Sequence, residues 1–262
     1  MTAAARPRRP GLIARLVQLD DGVIVRTAFY LLLAVAVTML YLDWRQLSAN
    51  DVNAFTAPSL PVLPAYDPDS PSPPPGPAVT TDPAVLNAPL AVTLGNGGVL
   101  SLRGTIDPGA AERVAAALAS EGEYVTTVAL DSPGGSVDGA IAIGKAIRAH
   151  GYETSVARGS ICASSCPLML AGGVERQVSD GAAVGVHQIY AAVKAGALAA
   201  PLAAGEVISQ TQKSTAEITR YLTASGVDPA LWLHALDTPP DRLYYLSPKE
   251  LTAYRLATKI AG

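Results

Sequence analysis

Residues 130–171, LDSPGGSVDGAIAIGKAIRAHGYETSVARGSICASSCPLMLA, constrain the fold more than any other stretch. They read as strand end, glycine turn, helix, strand, sharp turn and second helix. Residues 125–130, VTTVAL, are the short β-rich run expected of a buried parallel strand. Ser132-Pro133-Gly134-Gly135 stops it, and Ser136 is placed to cap the next helix. Val137, Ala140, Ile141, Gly144 and Ile147 give that helix one small-or-apolar face at a 3.6-residue period. Residues 154–157 are the next strand, 159–166 a tight turn of small residues, and Pro167 suits a first helical turn.

The pattern continues on both sides. Residues 90–94 and 99–102 are strands joined by Gly95-Asn96-Gly97-Gly98, a hairpin signal. Asp107-Pro108 opens a helix with Ala111, Val114, Ala115 and Leu118 on one side. Residues 182–187 form a strand ending on His187, 206–225 a long helix, 244–246 a strand, 248–254 a helix and 256–260 a last strand. Residues 191–204, rich in alanine, read as a loop or a loose helix. Alternation of this kind predicts an α/β domain, a mostly parallel sheet flanked by helices, with the glycine turn on the rim formed by the strands' C-terminal ends.

Both turns have chemical capacity. A Gly-Gly pair after a strand leaves backbone N–H groups facing open space. A serine in a small-residue turn at a helix start sits where developing negative charge is favoured. An oxyanion hole and a nucleophile are the two halves of an acyl-transfer site. The plainer alternative is a βαβ unit with ordinary tight turns.

SPGGSV at 132–137, CASSC at 162–166 and GVHQ at 185–188 together resemble the Clp-protease proteolytic subunit and its relatives in the ClpP/crotonase superfamily. The likeness extends to membrane-anchored bacterial members with a Cys-x-Ser-x-Cys nucleophile turn. It covers residues 90–262, and the 29 residues from Gly135 to Ser164 match the family's interval. The resemblance implies a ClpP/crotonase-like fold and a serine peptidase that cuts peptides or unfolded segments through an acyl-enzyme, without a cofactor. Ser164 becomes the nucleophile, with Ser165 as the fallback. His187 is the base, since an ordinary histidine titrates near about 6.5 and cycles protons at neutral pH. The backbone N–H groups of Gly135 and Ser165 are the oxyanion donors, so Gly135→Ala should damage turnover more than folding, provided the backbone tolerates a Cβ. DTPPDR at 237–242 matches Asp241 to the family's third member; the extra Tyr244 and Tyr245 leave Asp237 open, as well as a plain proline-rich turn. The superfamily's signal peptide peptidases use a serine–lysine dyad, for which Lys194 and Lys213 are the candidates. An inactive binding or scaffold protein and the crotonases' acyl-thioester chemistry are the remaining readings. The resemblance places the family's projecting oligomerisation segment at the helix 206–225, which makes a homo-oligomer an expectation here.

Cys162 and Cys166 are the only cysteines. Outside the cytoplasm two nearby thiols can oxidise, and a four-residue separation across a turn meets disulfide Cα distances. A disulfide and two buried thiols are both open. Two cysteines and three scattered histidines show no zinc spacing, and no phosphate-binding loop is present.

Charged residues are only 16% of the chain against 49% hydrophobic, with net charge −3, which argues against nucleic-acid binding. Much of the apolar excess is local. Residues 27–42 carry no charge over 16 positions, slightly short of the roughly 20 a spanning helix needs. Arg26, Arg45, Tyr30, Tyr41 and Trp44 suit its ends. The sequence divides into a cytoplasmic segment 1–22, a transmembrane signal anchor 23–44, a proline-rich linker 45–89 and the α/β domain 90–262. A cleaved signal peptide and a buried core helix are the alternatives for the apolar stretch. Arg6, Arg8, Arg9, Arg15 and Arg26 keep the N-terminus in the cytoplasm. A bacterial inner-membrane protein of this topology, with one span, has its domain in the periplasm. Eleven of the 21 prolines fall between Pro58 and Pro89, so this region is expected as an extended spacer.

Overall fold

The computed structural model describes residues 21–53, 61–69, 75–189 and 201–262. Two compact units divide the chain, Met1–Ala57 and Pro58–Gly262. The basic segment before residue 21, Lys194 and most of the alanine-rich stretch lie outside the described residues.

In the first unit, α1 (Asp21–Asn53) is a single helix of 33 residues. Its window Gly22–Leu42 has a mean hydropathy of 2.2 over 21 residues. At 1.5 Å per residue that is about 31 Å, the thickness of a bilayer's hydrocarbon core. The Thr27 and Thr38 hydroxyls donate to the carbonyls of Val23 and Ala34 at 2.7 Å, which satisfies them without water. The helix is long and apolar enough to cross a membrane; it exceeds the charge-free 16 residues because Arg26 does not interrupt it.

In the second unit the elements in chain order are α2 (Pro83–Asn87), β1 (Ala91–Leu94), β2 (Val99–Arg103), α3 (Ala110–Glu121), β3 (Thr127–Asp131), α4 (Val137–Ala149) and β4 (Glu153–Val156). They are followed by β5 (Ile161–Ala163), α5 (Cys166–Leu170), β6 (Arg176–Ser179), β7 (Ala183–Val186), α6 (Pro201–Ala224), α7 (Leu231–Asp237), β8 (Tyr244–Tyr245), α8 (Pro248–Ala253) and β9 (Lys259–Ala261). One sheet runs β1-β2-β3-β4-β6-β9, antiparallel between β1 and β2 and parallel elsewhere. This is the α/β architecture, a mostly parallel sheet flanked by helices, that the strand–helix alternation predicts. Ser136 caps α4 by accepting from the Gly139 N–H at 3.1 Å. The helix then buries Ala140, Ile141, Ile143, Gly144 and Ile147, four of which lie on the predicted face.

A second sheet, β5-β7-β8, departs from the sequence reading. Residues 159–166 are not one turn, because Ile161, Cys162 and Ala163 form a strand buried along its whole length. Three residues are too few for any periodicity to register. This strand matters for the site. Ser132, just past β3, makes a parallel bridge to Cys162, with Ser132 N–H donating to Ile161 O at 2.7 Å and Ala163 N–H to Ser132 O at 3.0 Å. Pairing the two segments there brings the residues two steps further on, Gly134 and Ser164, side by side.

The linker 45–89 is also corrected. From residue 61 it is tied to the domain at several points, although most of its described residues are exposed. Ala65 bridges Leu243 and is buried, Leu86 of α2 is fully buried, and Thr80 N–H donates to Gly159 O at 2.8 Å. The prolines favour extended backbone; the apolar residues between them supply a surface to bury, which composition alone does not show.

Candidate active site

Ser164 follows β5 and precedes α5, and its backbone is left-handed at φ +61°. A non-glycine residue there costs about 1–2 kcal/mol, so the surrounding contacts must hold it. They are the Ser164 N–H to Gly185 O bond at 3.0 Å and the Cys162–Cys166 disulfide, which brackets the turn with a Cα–Cα distance of 5.1 Å. Closing so short a loop restricts the unfolded chain by about 2 kcal/mol. The bend leaves Ser164 partly accessible, the placement a strand–turn–helix nucleophile would need.

His187 follows directly on β7, the partner of β5, so both side chains emerge at one end of the small sheet. His187 Nε2 lies 2.8 Å from Ser164 Oγ. Burial lowers the pKa of the ring, against a smaller raising effect from a hydrogen bond with the Pro240 backbone carbonyl. Burial disfavours the charged imidazolium. The neutral, proton-accepting form therefore persists at pH values where an ordinary histidine is protonated. We expect the acid limb of kcat/KM to fall below pH 6.5; a midpoint at or above 6.5 would contradict a buried working base.

Gly134 and Gly135 are both at positive φ, +103° and +141°. Gly135 makes a parallel bridge to Ile106, using the Gly134 carbonyl and the Ser136 N–H. Gly135's own N–H and C=O therefore face the other side, towards the serine turn. On that side its carbonyl accepts from Ser165 Oγ at 3.2 Å. Among the described residues neither the Gly135 N–H nor the Ser165 N–H donates a backbone hydrogen bond. These are the two donors the sequence singles out. Ser165 is buried and its hydroxyl is occupied by Gly135, whereas Ser164 is partly accessible and faces the imidazole. The geometry separates the two serines, which the sequence does not.

The condition set on the Gly135→Ala expectation, that the backbone tolerate a Cβ, is not met. A Cβ on Gly135 would collide with the Ile106 carbonyl oxygen and come within 2.9 Å of Ile106 C and N. Backbone cannot yield as a side chain can. On Gly134 it would lie 2.5 Å from Ser164 Cβ.

Asp241, expected as the third member, does not reach the ring, and neither does Asp237. Both are exposed, and among the described residues no hydrogen bond or ion pair joins either carboxylate to His187. The Pro-Pro turn presents a backbone carbonyl there instead. Gln188 fixes that turn through its N–H to Thr238 O at 3.0 Å and its Nε2 to Leu236 O at 2.6 Å. Asp241→Asn is expected to change kcat/KM by less than about threefold, against about 10⁴ for a triad aspartate; a loss near the latter would restore the carboxylate. Lys213 of α6 is exposed and makes no hydrogen bond or ion pair among the described residues, while Lys194 lies outside them.

Asp131, at the end of β3, was not singled out from sequence. It is 4% exposed and accepts from Thr81 Oγ1 at 2.7 Å, Arg103 Nε and Nη2 at 3.2 Å, and the Ile161 N–H at 3.0 Å. It fastens the glycine turn to β5 and to the upstream segment. Its only signal was an acidic residue closing an apolar strand.

The hydroxyl opens on a cleft of about 360 Å³. Gly135, Ser164, Ser165 and His187 line it, with Val137, Leu168, Ile189 and Trp232 as apolar walls. Among the described residues no group of three or more His, Cys, Asp or Glu could hold a metal. No protein-family model matches the chain, and no curated protein matches its sequence.

Proposed function

We propose that the chain is a serine hydrolase of the ClpP/crotonase type that cleaves peptide bonds through an acyl-enzyme. The observation that carries this reading is the 2.8 Å approach of His187 Nε2 to Ser164 Oγ at the mouth of a cleft. As Ser164 Oγ attacks the substrate carbonyl carbon, its proton passes to His187 Nε2. The carbonyl oxygen, now an anion, receives the N–H groups of Gly135 and Ser165, each such donor being worth about 3–4 kcal/mol in a transition state. The imidazolium protonates the departing amine, and a water molecule, deprotonated in turn by His187, releases the acyl group.

In this reading α1 is a membrane anchor, with the domain on the periplasmic side of a bacterial inner membrane. The Cys162–Cys166 disulfide favours a compartment outside the reducing cytoplasm. Peptides and unfolded segments fit an open cleft better than folded protein.

Pre-steady-state hydrolysis of p-nitrophenyl acetate by the full chain tests the acyl-enzyme. A burst approaching one equivalent of p-nitrophenol per chain, lost in Ser164→Ala, is the expected result. An equal burst in Ser164→Ala would refute it.

A further inference from the structure

The upstream segment enters the site itself. Pro61 and Leu63 line the cleft together with Ser164 and His187. Their position is fixed by the backbone. Tyr66 N–H donates to Leu243 O at 2.8 Å and Leu243 N–H to Pro64 O at 2.9 Å, so residues 64–66 run as an added parallel strand beside residue 243. Tyr245 Oη, from β8, donates to the Leu63 carbonyl at 3.0 Å. Val62 and Leu63 pack with Tyr245 on a buried cluster that includes Leu86, Ile161 and Leu243. A spacer with no role at the site would have no need of this strap. Among the described residues the cleft it helps to enclose is lined by no Asp, Glu, Lys or Arg, and His187 is the one titratable side chain there.

We infer that Leu63, supplied by the segment upstream of the catalytic domain, is a specificity-determining residue: it completes an apolar subsite that selects an uncharged aliphatic or aromatic side chain beside the scissile carbonyl. A neutral, half-enclosed wall gains from burying an apolar side chain and leaves a carboxylate without a partner. The inference rests on the hydrolase reading, and the test separates the two.

The full chain is treated with aminoalkyl diphenyl phosphonates bearing a leucine, a glycine or an aspartate side chain. Ser164 Oγ forms a bond to phosphorus, phenoxide departs, and the serine proton passes through His187 to the phenoxide. A small alkyl fluorophosphonate, with no side chain to select, reports the nucleophile alone. Wild type is expected to prefer the leucine probe over the glycine probe. Leu63→Ala should cut that ratio about tenfold, the order a few methylenes carry in a hydrophobic pocket. Leu63→Lys should raise the aspartate-to-leucine ratio at least about tenfold, a gain that misfolding cannot produce. Ratios unchanged in both variants, with fluorophosphonate labelling retained, would overturn the subsite and leave the hydrolase standing. Wild type inert to every probe would overturn the hydrolase reading and the subsite with it.

Discussion

His187→Ala is expected to lower kcat/KM for an acyl substrate about 10⁴-fold, far more than any accompanying fall in the melting temperature of the full chain accounts for. The magnitude follows from what the ring does. Its Nε2 is 2.8 Å from Ser164 Oγ, close enough to take the proton as the oxygen attacks. Nucleophile and base act as a unit, so losing either costs nearly as much as losing both. The double variant Ser164→Ala/His187→Ala should therefore be little worse than either single one. Removing a buried ring also costs some stability, so rates are compared at a temperature where both proteins are fully folded. Ser165→Ala is the contrasting case. It removes the 3.2 Å latch to the Gly135 carbonyl, a net contribution of about 1 kcal/mol, and should leave acylation within about tenfold. Kinetics on the three single variants decide this. Full activity in His187→Ala with loss in Lys213→Ala would reassign the base.

Gly135→Ala is expected to unfold the site rather than merely silence it. The added Cβ meets the backbone of Ile106, and φ is +141°, where an L-residue is strained whatever the space. Positive φ and a backbone collision together should cost about 3 kcal/mol or more. For a domain of this size that is a fall in melting temperature of about 6–12 °C. Turnover and thermal stability should fall together, measured by differential scanning fluorimetry beside initial rates. A variant with wild-type melting and no activity would show that the Ile106 bridge gives way, and would return Gly135 to a purely electrostatic role.

The parts of this site differ in how far the sequence exposes them. The helix after Gly135 was legible because its apolar face repeats over 13 residues and Ser136 marks its start. The hairpin at 91–103 was legible because Gly-Asn-Gly-Gly has few other uses. Ser164 and His187 were legible through three ordered motifs, and the structure brings them together. By contrast, β5 is three residues long, below the reach of any pattern. Pairing between residues 132 and 162, which creates the site, is a tertiary event with no local signature. Asp241 failed for a related reason. Its match was to a sequence neighbourhood, while the turn's conformation sends the side chain to solvent and a carbonyl to the ring. A proline-rich composition hid the packing of residues 61–66, because a segment's tendency to extend says nothing about what it lies against.

Whether Ser164 is an activated hydroxyl is read most simply by mass mapping of a fluorophosphonate adduct on the full chain. One adduct per chain is expected, on the peptide containing Ser164, absent in Ser164→Ala and strongly slowed in His187→Ala. An adduct that persists in Ser164→Ala, or a wild-type Ser164 that never reacts, would contradict it.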